Sequence, residues 1–177
     1  MRKGKIIVPI ISFLISVIFY IYLNHDGFEE FTEYFKSQNF DEIALKYYDD
    51  TEFHYMSMEV NNNKIANSTD KEKMNKLISY FKTLEYKRIN DDKWYSLQGN
   101  RRRVWLSNKN SDTLGIKIYN KKYIRVYLGY IIEERDEEKN VTKIYPNDGY
   151  KAYKVVGEKI DIDLIESIYE TMEIVED

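Results

Sequence analysis

An uncharged run from Ile6 through Leu23, 18 residues long, restricts this chain more than any other feature. Only Pro9, Ser12 and Ser16 interrupt its apolar character. As a helix it measures roughly 27 Å, close to the ~30 Å hydrocarbon core of a bilayer. Lipid offers no water to peptide groups, so a lone crossing segment has to be helical. Pro9 falls in the first turn, where its missing N–H costs little. Arg2, Lys3 and Lys5 precede the run; Asp26, Glu29 and Glu30 follow it, and the next basic residue is Lys36. That asymmetry predicts a cytoplasmic N-terminus and an extracytoplasmic bulk. Phe19, Tyr20 and Tyr22 stand near the outer end, where aromatic rings favour the interface. Signal peptidase requires small residues at an A-x-A-like site. The stretch FYIYLNHDG offers Tyr20, Tyr22 and Leu23, and His25 before Gly27. The expectation is an uncleaved signal anchor, with cleavage and secretion as the alternative. A lipoprotein anchor is excluded because the chain has no cysteine.

Of the 27 basic residues three precede Gly27, and of the 30 acidic residues one does, so the remainder carries a formal net charge of −5. This opposes non-specific nucleic-acid binding, which needs a basic face. Roughly 150 residues remain for the external part, enough for one ordinary domain. Without cysteine there is no disulfide framework, thiolate metal site or thiol chemistry. Packing therefore has to supply stability, and 17 Tyr, 8 Phe and 2 Trp are there to supply it. Two prolines and seven glycines argue against disorder.

Along the chain, Phe28, Phe31, Tyr34 and Phe35 recur at helical spacing, and Phe40, Ile43, Ala44 and Tyr47 mark a second short helix. Together they predict a helical stalk over 28–50. TEFHYMSMEV alternates like a strand. STDKEKMNKLISYFKTLEY carries the strongest local signal: Thr69 with Glu72 reads as a capping box, and Met74, Leu77, Ile78, Phe81 and Leu84 form one stripe. This predicts a helix over about 70–84. EYKRI, WYSLQ, RRRVWLS, TLGIKIY, YIRVYLGYII, VTKIY and YKAYKVV read as strands, with Ile124, Val126, Leu128 and Tyr130 sharing a face. EERDEEKN reads as an acidic hairpin tip and PNDG as a turn. A last helix is expected over about 163–172, capped by Asp161, with Leu164, Ile165, Ile168 and Met172 inward.

The pattern predicts an α+β protein: an N-terminal transmembrane helix, then one domain with a mostly antiparallel sheet packed by helices on one face. The expected divisions are 1–27 for the cytoplasmic tip and anchor, 28–50 for the stalk and 51–177 for the extracytoplasmic domain. From Thr51 to Met172 the capped helix, strand set and closing helix lie behind a signal-like segment, in a chain biased to Lys, Ile, Asn and Tyr. In this it resembles small signal-anchored extracytoplasmic proteins of low-GC Gram-positive bacteria. The resemblance implies a location and transfers no functional residue.

Chemistry is limited by what the chain lacks. His25 and His54 are its two histidines. Glu52 and His54, two apart on a strand, share a face and form a possible general-base pair, but no G-x-S-x-G serine is present. Zinc has poor ligand supply. Glu133, Glu134, Asp136, Glu137 and Glu138 could offer calcium oxygens, but the spaced D-x-D-x-D-G loop is missing. No glycine pattern cradles phosphate. No metal or cofactor is expected. The remaining signal is basic and aromatic: Trp94 and Tyr95, then Arg101, Arg102, Arg103 and Trp105. On a strand Arg101, Arg103 and Trp105 share one face and Arg102 takes the other. Such a surface suits recognition of an anionic or aromatic group; the competing reading is an edge strand guarded by charge.

The sequence therefore points to a membrane-anchored extracytoplasmic binding module, held in the membrane by Ile6–Leu23. Its binding residues are Trp94, Tyr95, Arg101, Arg103 and Trp105, and its partner is a protein, a peptide or an envelope polymer rather than nucleic acid. The alternatives are a cell-envelope hydrolase using carboxylates and a surface self-protection protein against a toxin.

Overall fold

Strand alternation gives this molecule two different sheet faces, and the site depends on which side chain goes to which. The computed structural model describes residues 11–18, 20, 32–48, 51–60, 64–110, 112–129, 131–136, 141–146 and 150–175. The chain divides into two units, Met1–Lys36 and Ser37–Asp177.

In the first unit residues 11–18 and 20 are helical. The Ser16 hydroxyl donates to the Ser12 carbonyl at 2.9 Å. Residues 6–10, 19 and 21–23 of the uncharged run, with His25, Phe28 and Phe31, lie outside the described residues. Among the described residues no helix is long and apolar enough to cross a membrane. The chain turns at Tyr34 and Phe35, and Phe35 is exposed.

The second unit runs β1 (Ser37–Gln38), α1 (Phe40–Ile43), a 3-10 turn (Leu45–Tyr47), β2 (Phe53–Val60), β3 (Ile65–Ser68), α2 (Lys71–Lys82), β4 (Glu85–Ile89), α3 (Asp91–Tyr95), β5 (Arg101–Asn108), β6 (Thr113–Tyr119), β7 (Tyr123–Gly129), β8 (Ile131–Asp136), β9 (Val141–Pro146), β10 (Tyr150–Val156), α4 (Ile162–Tyr169) and β11 (Glu173–Ile174). Nine strands form one sheet in the order β1-β4-β10-β7-β6-β5-β2-β3-β11, and β8 and β9 pair separately. Every pairing is antiparallel. The α+β class stands. Residues 37–48, expected in the stalk, belong to this unit: β1 joins the sheet, and Phe40, Ile43, Ala44 and Leu45 enter the core.

One face of the sheet is apolar. Met56, Met58, Val104, Leu106, Ile116, Ile118, Ile124, Val126 and Tyr153 meet Phe40 and Ile43 of α1, Met74, Leu77, Ile78 and Phe81 of α2, and Ile162, Ile165 and Ile168 of α4. Phe40 stacks on Phe81 with ring centroids 5.3 Å apart. The cap of α2 is Asp70 rather than Thr69, its carboxylate accepting from the Glu72 and Lys73 amides at 2.9 and 3.4 Å. Asp70 has the extended backbone of a cap next to the first helical residue, so the helix begins at Lys71 and ends at Lys82, inside the expected span of about 70–84. Asp161 caps α4 as expected, accepting from the Leu164 amide at 3.0 Å, but Ile162 takes the inward place and Leu164 is half-buried.

Three expectations change. WYSLQ is not a strand: residues 91–95 are α3, because Asn90 accepts from the Lys93 amide at 3.0 Å and Asp91 and Asp92 sit at the positive helix end. Helices do not all lie on one face: α3 covers a corner of the other, where Trp94 packs with Ile89, Tyr119 and Ala152. YIRVYLGYII is two strands, parted after Gly129, and Tyr130 lies outside the described residues. In β2 the register shifts between Phe53 and Tyr55, which puts both Phe53 and Met56 inward.

Candidate functional site

The second sheet face is built on three cross-strand rows. Antiparallel register puts Arg103 opposite Lys117, and Lys117 opposite Arg125. Glu59 extends this row on β2 and Ala152 on β10. The row beside it holds Arg101 opposite Tyr119 and Tyr119 opposite Tyr123. On the other side Trp105 lies opposite Gly115, followed by Tyr127 and Tyr150. The tight turn at Asn120, a non-glycine residue at φ 53°, sets the register that brings Lys117 and Arg125 together.

A cavity of ≈ 180 Å³ opens here, lined by Arg101, Arg103, Lys117 and Arg125, with Trp94, Tyr95, Leu97 and Tyr119 as its aromatic and apolar wall. Arg103 Nη1 donates to Glu59 Oε2 at 3.1 Å. Arg125 Nη2 donates to Asp91 Oδ1 at 3.4 Å and to the Tyr95 hydroxyl at 3.2 Å. The Arg125 guanidinium carbon lies 5.0 Å from the Tyr95 ring centroid and 4.7 Å from that of Tyr150. Lys117 Nζ is also 4.7 Å from the Tyr150 centroid. Two cations thus share one ring, each gaining from its negative face. Arg101 Nε donates to the Tyr119 hydroxyl. Among the described residues no carboxylate stands within ion-pair distance of Arg101 or Lys117. Burial, reinforced by the charges of Arg103, Arg125 and Arg101, holds the Lys117 ammonium below its ordinary pKa.

The structure brings four of the five sequence-predicted residues to this cavity: Trp94, Tyr95, Arg101 and Arg103. Their roles differ. Trp94 is only 6% exposed and serves as a wall, whereas Tyr95 is 71% exposed at the rim. Trp105 stands one row away from the cavity, half-buried, and lies edge-on to Tyr127 at 5.7 Å. It occupies the space of an absent side chain: a Cβ on Gly115 would meet its Cζ3 at 2.2 Å. The edge-guarding alternative does not hold, because β5 is paired on both sides, to β2 and β6. Arg102 points to the other face as parity requires, is buried, and pairs with Glu166 of α4, its Nε donating at 2.9 Å.

Leu97, Lys117, Tyr119 and Arg125 are the site residues that sequence reading missed. Each cation is the single charge in an otherwise apolar strand, TLGIKIY or YIRVYLG, and that isolation was the available signal. Of the Glu52–His54 pair, the Glu52 carboxylate accepts from Lys71, which holds it below its ordinary pKa. The side chains of Glu133, Glu134, Asp136, Glu137 and Glu138 lie outside the described residues. Among the described residues no three His, Asp or Glu side chains are grouped to hold a metal.

The fold and this face define an α+β domain whose antiparallel sheet is helix-covered on one side and basic and aromatic on the other. No family model, no curated protein and no solved structure matches the chain.

Proposed function

We propose that this protein is a membrane-anchored extracytoplasmic module that recognises an acidic partner through the basic-aromatic face of its sheet. The observation that carries this reading is the cation row Arg103, Lys117 and Arg125 beside Arg101, assembled from three adjacent strands in a domain of negative net charge. A random surface of such a domain would scatter its cations among acids. The anchor reading is supported by the 18-residue uncharged run and the basic residues ahead of it. Tethering raises the effective concentration for partners in the same membrane. The hydrolase alternative gains nothing at this cavity, where the two marginal carboxylates, Glu59 and Asp91, are both engaged by arginines.

The test is cross-linking in intact cells followed by identification of the captured species. The double variant Arg101→Ala, Arg103→Ala should lose the capture while remaining folded; unchanged capture refutes recognition by this face. External protease should digest the domain in intact cells, and protection of the domain refutes the location.

A further inference from the structure

We propose that the cavity among β5, β6, β7 and α3 takes a doubly charged tetrahedral oxyanion of the phosphate type, held by Lys117 and Arg101. This rests on the reading of the face as a recognition surface and names what it recognises. Four cations line the cavity and no acid does. At its margin Glu59 engages Arg103 and Asp91 engages Arg125, which leaves Arg101 and Lys117 uncompensated among the described residues. The excess is two positive charges. A carboxylate neutralises one; a phosphate monoester carries about two.

Placement agrees with charge. Like charges directly opposite on neighbouring strands repel, yet Lys117 has one on each side. A bound dianion sets an attraction to each of the three cations, Arg103, Lys117 and Arg125, against that repulsion. The Arg125 Nε is buried and lacks a hydrogen-bond partner among the described residues, so this corner has unused donor capacity. Arginine forks and a lysine point charge are the groups that hold phosphate oxygens. Size agrees as well. At ≈ 180 Å³ the cavity is smaller than the roughly 300–1,000 Å³ of sites for drug-sized ligands, so it admits a charged group rather than a whole large molecule. Exposed Tyr95 at the rim gives the rest of that molecule a ring to lie on.

The anion can arrive free or on a lipid headgroup. The test titrates the full-length chain in neutral detergent micelles by calorimetry with inorganic phosphate, sulfate, acetate and a short-chain soluble phosphatidate. Saturable binding of phosphate and sulfate with none of acetate is expected. Tighter binding of phosphatidate than of phosphate assigns the lipid source, and the reverse assigns the free ion. Lys117→Gln should weaken binding about tenfold or more, the loss of one charge-assisted hydrogen bond. Lys117→Arg should retain it, and Lys154→Gln, exposed on the same face, should not change it. Absence of saturable binding overturns the inference, as does equal binding of acetate or indifference to Lys117→Gln. If cross-linking still depends on Arg101 and Arg103 while phosphate does not bind, this inference falls and recognition stands. If phosphate binds while capture ignores those arginines, recognition of the partner by this face falls instead.

Discussion

Lys117 faces Arg125 across the β6–β7 pair and Arg103 across the β5–β6 pair, a cation between two cations in the middle of a nine-stranded sheet. In the fold alone the contact of Lys117 with the Tyr150 ring has to offset two like-charge pairings. Each directly opposed like pair costs about 0.2–1 kcal/mol, and burial of the ammonium adds to the penalty. The Lys117→Met variant, free of added anions, should therefore melt higher than the parent by up to about 4 °C. Scanning calorimetry in a buffer without phosphate or sulfate reads this directly. A melting point that falls would mean that the lysine is a net support of the sheet, through its contact with Tyr150, and that the row is not strained.

Arg102 and Glu166 make the opposite case on the helix-covered face. The arginine side chain is 8% exposed and the glutamate 32%. Glu166→Ala leaves a buried guanidinium without its partner, which costs about 3 kcal/mol at the lower end of the range for broken buried pairs, because the site retains some access to water. Replacing both, Arg102→Met with Glu166→Met, should cost much less than the single change. Urea unfolding of the two variants distinguishes them. Equal losses would show that the pair acts only through the packing of its stems. The same measurement separates a structural arginine from its neighbours Arg101 and Arg103, whose removal should leave stability within about 0.5 kcal/mol.

The difference between those three consecutive arginines was legible in the sequence, because parity on a strand needs no long-range information. Arg101 and Arg103 on one face and Arg102 on the other follow from a period of two. The apolar stripes of α2 and α4 and the Asp161 cap were legible for the same reason. What required tertiary contact was less so. WYSLQ alternates well enough for a strand, but Asn90 and the two aspartates after it start a helix, and Ile89, Tyr119 and Ala152 give Trp94 a bed to pack on. The bulge at Phe53 and Tyr55 breaks the parity of β2 and leaves no mark in composition. Lys117 and Arg125 became members of the site only through register. The NKK turn fixes their pairing, so a reading that counted outward from that turn would have found them opposite each other.

Gly115 makes room for Trp105, and the fit leaves no space for a methyl group. A Cβ would lie 2.2, 2.7 and 2.9 Å from three ring carbons of the indole. Gly115→Ala must move the ring or the strand, at a cost of about 1–3 kcal/mol for overpacking. The tryptophan should swing off Tyr127 and become more exposed, which a red shift of its emission reports. Trp94 also contributes to that emission, so the measurement is made in a Trp94→Phe background. An unshifted spectrum with unchanged stability would mean that the close approach of ring to glycine is not a feature of the protein in solution.

Alkaline stability should be governed by Tyr86. Its hydroxyl donates to the Phe81 carbonyl at 2.8 Å inside the core, and burial, with a smaller contribution from Tyr80, raises its pKa far above the ordinary value. Tyr80, raised chiefly by burial, adds in the same direction. In the unfolded chain a tyrosine ionises near pH ~10. Above that pH the folded state holds a proton that the unfolded state has lost, so stability falls as pH rises, by up to about 1.4 kcal/mol per pH unit for each such group. Lys117 works the other way: its depressed folded pKa makes stability rise with pH, but only up to its unfolded value near ~10.4. The tyrosines dominate beyond it. Tyr86→Phe should cost about 1 kcal/mol at neutral pH, where the Phe81 carbonyl loses its partner. Its disadvantage should shrink and then reverse between about pH 9 and about pH 11, where only the parent has this buried phenol to lose. Urea midpoints for the two chains across that interval decide the matter, and a gap that stays constant with pH would remove Tyr86 as the source of alkaline unfolding.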